Sequence, residues 1–365
     1  LSRCYPSRMA EPLPDELLHA DQRLHDVHTA IRFSRHLNPE NILDARAAFF
    51  AGAEAPPFVY APATWAEDAR AALDALVVPA CHPLGREVAA AIAETRALID
   101  ALDHRDAARF EHLAALCDWL PEDGADEDIP APPTPPVSAE VGAERMFVTL
   151  RDALRHRGRH DWEIAWDPVM SSRILVDAAR RAIRVNPAAR FREPDRIGLV
   201  AHEIDVHAAR ACNGSAQPLH LFSTGLARSL LTEEGLAIYA EERVRALSPG
   251  FVSRQSLLIR AIRLGRTRGF RELYELLEPQ IGSGGAFQIT LRVKRGLARP
   301  DLPGVYAKDS VYLRGYRRVR GWLAAGGDLR HLYVGKVGVH HPVAMWIRAG
   351  WVRPAPVPEM WARAA

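Results

Sequence analysis

His202-Glu203-Ile204-Asp205-Val206-His207 (HEIDVH) is the stretch whose reading decides the fold, taken with the acidic segment Glu233-Glu234-Gly235-Leu236-Ala237 downstream. Two imidazoles, a carboxylate beside the first and a second acidic helix are the parts of a mononuclear zinc site. Zinc takes imidazole and carboxylate ligands tetrahedrally, and a catalytic site leaves one position to water. Water held there has a pKa of about 7 and becomes a nucleophile at neutral pH. Five-residue spacing is the unusual feature. In an ideal α-helix it turns the second ring roughly 140° away from the first. Both rings can serve one ion only where a turn is widened, and single π-type turns do this, preferentially at functional sites. The spacing therefore predicts a π-bulge between His202 and His207.

The flanks predict a helix over 194–212. Glu193-Pro194 starts it, since proline is tolerated in the first turn. Ile197, Val200, Ile204 and Ala208 recur at helical spacing, and Asn213-Gly214 reads as a left-handed stop. Glu203 is placed to act on water as a general base rather than to bind metal. The third ligand is expected from the second helix, with Thr232 as N-cap; on spacing alone either Glu233 or Glu234 serves. Asp205 reads equally as a brace for a ligand histidine or as solvent-facing. Among 15 histidines a His-Glu pair also arises by chance. A 2-His-1-carboxylate iron site uses similar ligands but leaves Glu203 without a task. Adjacent His340 and His341 diverge on any regular element and are given no ligand role.

Beyond this motif the chain resembles the microtubule-associated tyrosine carboxypeptidase family, whose bacterial branch is known as flavohemoglobin-expression-modulating QEGLA-motif proteins. The resemblance is carried by residues 202–242 (HEIDVHAARACNGSAQPLHLFSTGLARSLLTEEGLAIYAEE). Arg292–Gly296 (RVKRG), Lys308–Leu313 (KDSVYL), Asn38-Pro39-Glu40-Asn41 and the Phe49–Tyr60 stretch add to it. It implies an α+β, mainly helical zincin-like metallopeptidase with a small sheet beside the metal-binding helix. It also implies one Zn²⁺ per chain held by His202, His207 and Glu234, with Glu203 as the catalytic glutamate. Relatives in eukaryotes remove the terminal tyrosine of α-tubulin, which implies an aromatic preference. The tubulin substrate itself does not transfer, because the Ala-, Arg- and Pro-rich composition points to a bacterium of high genomic GC content.

A carboxypeptidase must grip a free terminal carboxylate, and charge-assisted contacts to arginine do this best. Arg292, Lys294, Arg295 and Lys308 are the candidates, with Tyr312 as a further donor. The expected partner is thus a peptide or protein C-terminus. A zinc endopeptidase or amidase is the rival within enzymes, and a protein-binding module braced by structural zinc is the rival outside them.

The 365 residues, 48% hydrophobic and 25% charged, suit a soluble globular chain. A net charge of +2 argues against general nucleic-acid binding. No run of 18 apolar residues predicts a membrane span, and no secretory leader is visible. Scattered Cys4, Cys81, Cys117 and Cys212 fit a reduced cytoplasm. Residues 1–9 are set aside as an upstream extension, with Met9 as a start. Residues 10–120 read as a helical N-terminal region, on the stripes Leu17, Leu24, Val27, Ile31 and Val88, Ile92, Ile99, Leu102. The Pro56-Pro57 and Pro62 region interrupts it. Residues 121–140 form a Pro/acidic connection, with six prolines and five acids between Pro121 and Ser138, too polar to build a core. Residues 141–365 form the catalytic region. Within it Trp162–Trp166, Ile174–Val176 and Ala182–Val185 read as strands, and Ser171–Val176 as an edge strand for substrate. Phe287–Lys294 alternates apolar and polar side chains and reads as a further strand.

Overall fold

The computed structural model describes residues 12–31, 33–122, 140–168, 170 and 172–362. The connection expected at 121–140 falls largely on residues 123–139, outside the described residues, as does Ser171. Six helices come first: α1 (Asp15–Ala30), α2 (Phe33–Leu37), α3 (Ile42–Phe50), α4 (Ala66–Asp74), α5 (Pro83–His104) and α6 (Ala107–Leu116). The stripes Leu17, Leu24, Val27, Ile31 and Val88, Ile92, Ile99, Leu102 are buried as their spacing requires. Residues 56–62 carry no regular element, since proline lacks a donor and restricts its predecessor.

Five short strands and one long helix follow. β1 (Glu140–Gly142) leads into α7 (Ala143–His156); β2 (Glu163–Trp166), β3 (Ile174–Asp177), β4 (Ala182–Val185) and β5 (Arg190–Arg192) come after it. β1 pairs antiparallel with β5. The second sheet has the order β2-β4-β3, with β2 parallel and β3 antiparallel to β4. β3 is therefore an edge, and it lies against the helix that bears His202 and His207.

That helix begins as α8 (Glu193–Leu199), widens into a π-helix (Val200–Ala208) and returns to α-geometry as α9 (Ala209–Ser215). Pro194 sits in the first turn, and Asp195 Oδ2 accepts the Arg192 backbone N–H at 3.1 Å, satisfying an orphan donor of the helix start. Ile204, Ala208 and Ala211 pack on Ile183, Val185 and Phe191, while Ala201, Val206 and Ala209 face a core shared with α1, α4 and α5. The widened turn thus sits between two apolar layers. Ile197 departs from the expected stripe and is exposed.

Asn213-Gly214 does not stop the helix, which runs through both residues to Ser215. Gly214 is needed for space: a Cβ there would strike the Phe222 backbone in α10 (Leu221–Thr224). α11 (Leu230–Arg243) carries the acidic segment and starts directly after Ser229, so Thr232 is not at the N-cap position. It lies inside the helix, and its Oγ1 accepts Val339 N–H at 3.0 Å.

α12 (Phe251–Gly265), α13 (Phe270–Lys294) and α14 (Val311–Ala324) complete the core, with α15 (Leu329–Leu332) and α16 (Val343–Arg348) behind. Residues 287–294 are helical and lie in α13, not in a strand. Ala286/Phe287, Thr290/Leu291 and Val293/Lys294 are all buried, a three-to-four-residue rhythm that matches a helix. Gln288 and Arg292, four apart, are the exposed positions, while Thr290 and Lys294 of the same polar set are buried, so burial follows the helical period and not the two-residue alternation. α11 and α14 touch through Gly235 and Gly315, where a Cβ would land on the facing backbone. Among the described residues no helix is long and apolar enough to cross a membrane.

Candidate metal centre

The widened turn stacks the two imidazoles edge to face, with ring centroids 4.8 Å apart. His202 Nε2 lies 3.8 Å from Glu234 Oε2, and His207 Nε2 lies 3.7 Å from the same oxygen. Glu203 joins them, since one ligand atom from each of His202, Glu203 and His207 lies within 4.8 Å of the others. All four side chains are at least seven-eighths buried.

Each ring's outer nitrogen is held by a carboxylate. His202 Nδ1 is 2.7 Å from Glu241 Oε1, and His207 Nδ1 is 2.7 Å from Glu233 Oε1. Such partners orient a ligand imidazole and raise its basicity. Glu233 is anchored in turn by the fully buried Arg210 and by Lys336 at 3.5 Å. Arg210 also donates to the carbonyls of Leu332 (2.8 Å), Gly335 (3.1 Å) and Val337 (2.6 Å). Asp205 takes neither expected role: it is buried and paired with Arg157, Oδ2 to Nη2 at 2.8 Å.

Electrostatics follow the contacts. Burial opposes the charged form of His207, but its hydrogen bonds and charges with Glu233 and Glu234 prevail and raise it to about 10. His202 is raised too, as the Glu203 charge and the Glu241 hydrogen bond overcome burial. Burial would raise Glu233; Arg210 and Lys336 instead hold it far below the usual carboxylate range. Glu234 is lowered against its burial by His207, then His202 and Lys308. The Glu203 carboxylate, by contrast, accepts no hydrogen bond among the described residues.

This donor set fits a zinc ion. With both Nδ1 positions committed, each Nε2 is left near the same Glu234 oxygen. Donors sharing a tetrahedral zinc at about 2.0–2.1 Å stand roughly 3.4 Å apart, close to the spans found.

The expected substrate cluster is only partly assembled. Arg292 Nε donates to Asp309 Oδ2 at 2.9 Å, and Arg295 Nη2 reaches both Asp309 oxygens at 3.3 and 3.2 Å. Burial opposes ionisation of Asp309, but Arg295 and Arg292 hold it well below its ordinary range. Arg292 remains 45% exposed, so its guanidinium keeps donors for a ligand. Lys308 acts electrostatically on Glu234. Tyr312 is pushed far above its ordinary value by the Glu234 charge first and burial second, so its hydroxyl stays protonated. Lys294 does not belong here. Fully buried, its ammonium donates to the carbonyls of Gly265 (3.1 Å), Arg268, Leu302 (2.9 Å) and Gly304 (2.9 Å), the compensation a buried cation requires.

Sequence reasoning missed Glu241, Glu233 as a brace, and Arg210. Glu241 follows Glu234 by two helical turns and so shares its face, a signal that was readable. His340 and His341 stay outside the centre; His341 Nε2 pairs with Glu87 at 3.2 Å.

The chain is similar in sequence to known proteins. The chain is 30% identical over 162 residues to microtubule-associated tyrosine carboxypeptidase 1 of Rattus norvegicus and of Homo sapiens, covering 43% of this chain and 34% of each relative. The Mus musculus protein matches to the same extent. The match therefore spans about a third of the length of these curated relatives. The family described as microtubule-associated tyrosine carboxypeptidase matches residues 122–365, and this chain belongs to that family.

Proposed function

We propose that this protein is a zinc-dependent carboxypeptidase acting on the C-terminus of a peptide or protein, with His202, His207 and Glu234 holding the ion. The observation that carries this reading is the convergence of both Nε2 atoms on Glu234 while both Nδ1 atoms are tied to carboxylates. Zinc bound there would supply Lewis acidity and lower the pKa of a water to about 7.

The chain's own groups then divide the remaining work. Glu203, whose carboxylate accepts no hydrogen bond among the described residues, takes a proton from the attacking water and returns it to the departing amine. Tyr312, kept protonated, donates to the developing oxyanion, where preorganised donors count most. Arg292, Arg295 and Lys308 provide the positive field for a terminal carboxylate, and Asp309 fixes the two guanidiniums in one orientation. The free edge of β3 offers backbone groups to an extended substrate. An aromatic terminal residue is the proposed preference, following the tyrosine in the relatives' name. Cys81, Cys117 and Cys212 are free thiols, in keeping with a reduced compartment such as the cytoplasm.

The test pairs free-acid and amidated peptides of one sequence, read by mass spectrometry. Loss of single terminal residues from the free acids alone is expected. Equal cleavage of both forms would assign an endopeptidase or amidase instead. Glu203→Gln should abolish turnover while retaining one zinc per chain; retained turnover, or loss of the metal, would remove Glu203 from its role as base.

A further inference from the structure

A buried tyrosine reaches into the middle of the widened turn. In α-geometry the Asp205 carbonyl would accept the Ala209 N–H, four residues on. Here that N–H turns to the carbonyls of Ile204 and Val206. Tyr333 adds a donor: fully buried, its hydroxyl donates to the Asp205 carbonyl at 2.9 Å. Burial holds this hydroxyl above its ordinary pKa, so it keeps its proton. The Trp361 indole N–H donates to the Tyr333 oxygen at 2.7 Å, which leaves the phenolic proton for Asp205.

The segment that carries Tyr333 is stitched to the helix of His202 and His207. Arg210 and Asn213, one turn apart on α9, both donate to its carbonyls: Arg210 to Leu332, Gly335 and Val337, and Asn213 Nδ2 to Tyr333 at 2.7 Å. Gln217, just beyond α9, donates to the Val334 carbonyl at 3.0 Å. Lys336 of the same segment stands 3.5 Å from Glu233, the carboxylate on His207 Nδ1. Residues 332–337 therefore hold both the backbone of the turn and the brace of its second imidazole. Relaxation to α-geometry would swing His207 roughly 140° from His202, and a side chain entering the hydrogen-bond ladder is a recognised cause of helix distortion. We propose that Tyr333 is a positioning residue: its hydroxyl keeps residues 200–208 in the widened register and so aims both imidazoles at one ion. Its effect on the ion rests on the zinc reading above; its effect on the turn does not.

Tyr333→Phe removes the hydroxyl and keeps the ring. Hydrogen exchange of the full chain in chelator, read by mass spectrometry over peptides spanning 200–210, tests the turn, and zinc competition tests the ion. Exchange about tenfold faster in those peptides is expected, with α12 unchanged, and zinc affinity about tenfold or more weaker. Trp361→Phe leaves the Tyr333–Asp205 bond but frees the hydroxyl to turn, and should move both readings the same way by a smaller factor. Thr95→Val deletes a buried hydroxyl of α5, bonded to the Ala91 carbonyl, and controls for general loss of stability; both readings should stay at the wild-type level. Three results would overturn the proposal: unchanged exchange at 200–210 in Tyr333→Phe and Trp361→Phe; unchanged zinc affinity in both; or equal shifts in Thr95→Val. Zinc bound as tightly by His202→Ala as by the wild type would instead remove the zinc reading, while exchange at 200–210 still decides what Tyr333 does to the turn.

Discussion

Glu233→Gln isolates the brace behind the proposed metal centre. Arg210 is fully buried and Glu233 is 4% exposed, so the substitution keeps the shape but removes the counter-charge of a desolvated guanidinium. Removing one partner of a buried pair costs about 3–5 kcal/mol. The three carbonyl contacts of Arg210 persist, which puts Glu233→Gln near the lower figure, about 3 kcal/mol. Arg210→Met loses those contacts as well and belongs near about 5 kcal/mol. Because both substitutions break one interaction, the double variant should be little worse than Arg210→Met alone, giving a coupling of about 2–3 kcal/mol. Urea unfolding of the four proteins in chelator reads this cycle. Zinc competition reads the second consequence, since loss of a carboxylate behind a ligand histidine weakens metal about 10–100-fold. Single-variant losses under about 1 kcal/mol that simply add, with unchanged zinc affinity, would refute the reasoning.

Other outcomes follow from the same contacts. His207 is raised to about 10 from an ordinary 6.5, so its ion pairs stabilise the metal-free protein fully below about pH 6.5 and fade as pH climbs towards 10; thermal melts in chelator should fall across that window. Zinc must displace the same proton, so its affinity should rise about tenfold per pH unit below 10 for each proton released, and a pH-independent affinity would contradict ligation by His207. Asp309→Asn frees Arg292 and Arg295 from their shared anchor and should raise KM for free-acid peptides more than it lowers kcat; an unchanged KM would detach this cluster from substrate. Gly235→Ala forces a Cβ into the Gly315 backbone, and overpacking of this kind costs about 1–3 kcal/mol; a wild-type melt would show that α11 and α14 are not in tight contact.

What could be read from residues alone was governed by how few conformations satisfied them. The five-residue interval between His202 and His207 demanded a widened turn, and residues 200–208 supply one. The strands at 163–166, 174–177 and 182–185 were legible from short β-rich runs between turn residues. Residues 287–294 misled because two of the polar residues, Thr290 and Lys294, are as buried as Phe287, while only Gln288 and Arg292 of that set face outward. No local pattern says that a lysine will find four carbonyls inside the protein. Arg210 was opaque for a similar reason: its partners at Leu332, Gly335 and Val337 lie more than a hundred residues away. Contacts of that range are written in the packing of α9 against the 332–337 loop, not in any neighbourhood of the chain.

The most direct measurement is anomalous diffraction at the zinc edge from crystals of the metal-loaded protein. A single peak within about 2.0–2.2 Å of His202 Nε2, His207 Nε2 and a Glu234 oxygen is the predicted result. A fully zinc-loaded crystal with no peak there, or with the ion bound elsewhere, would contradict the account.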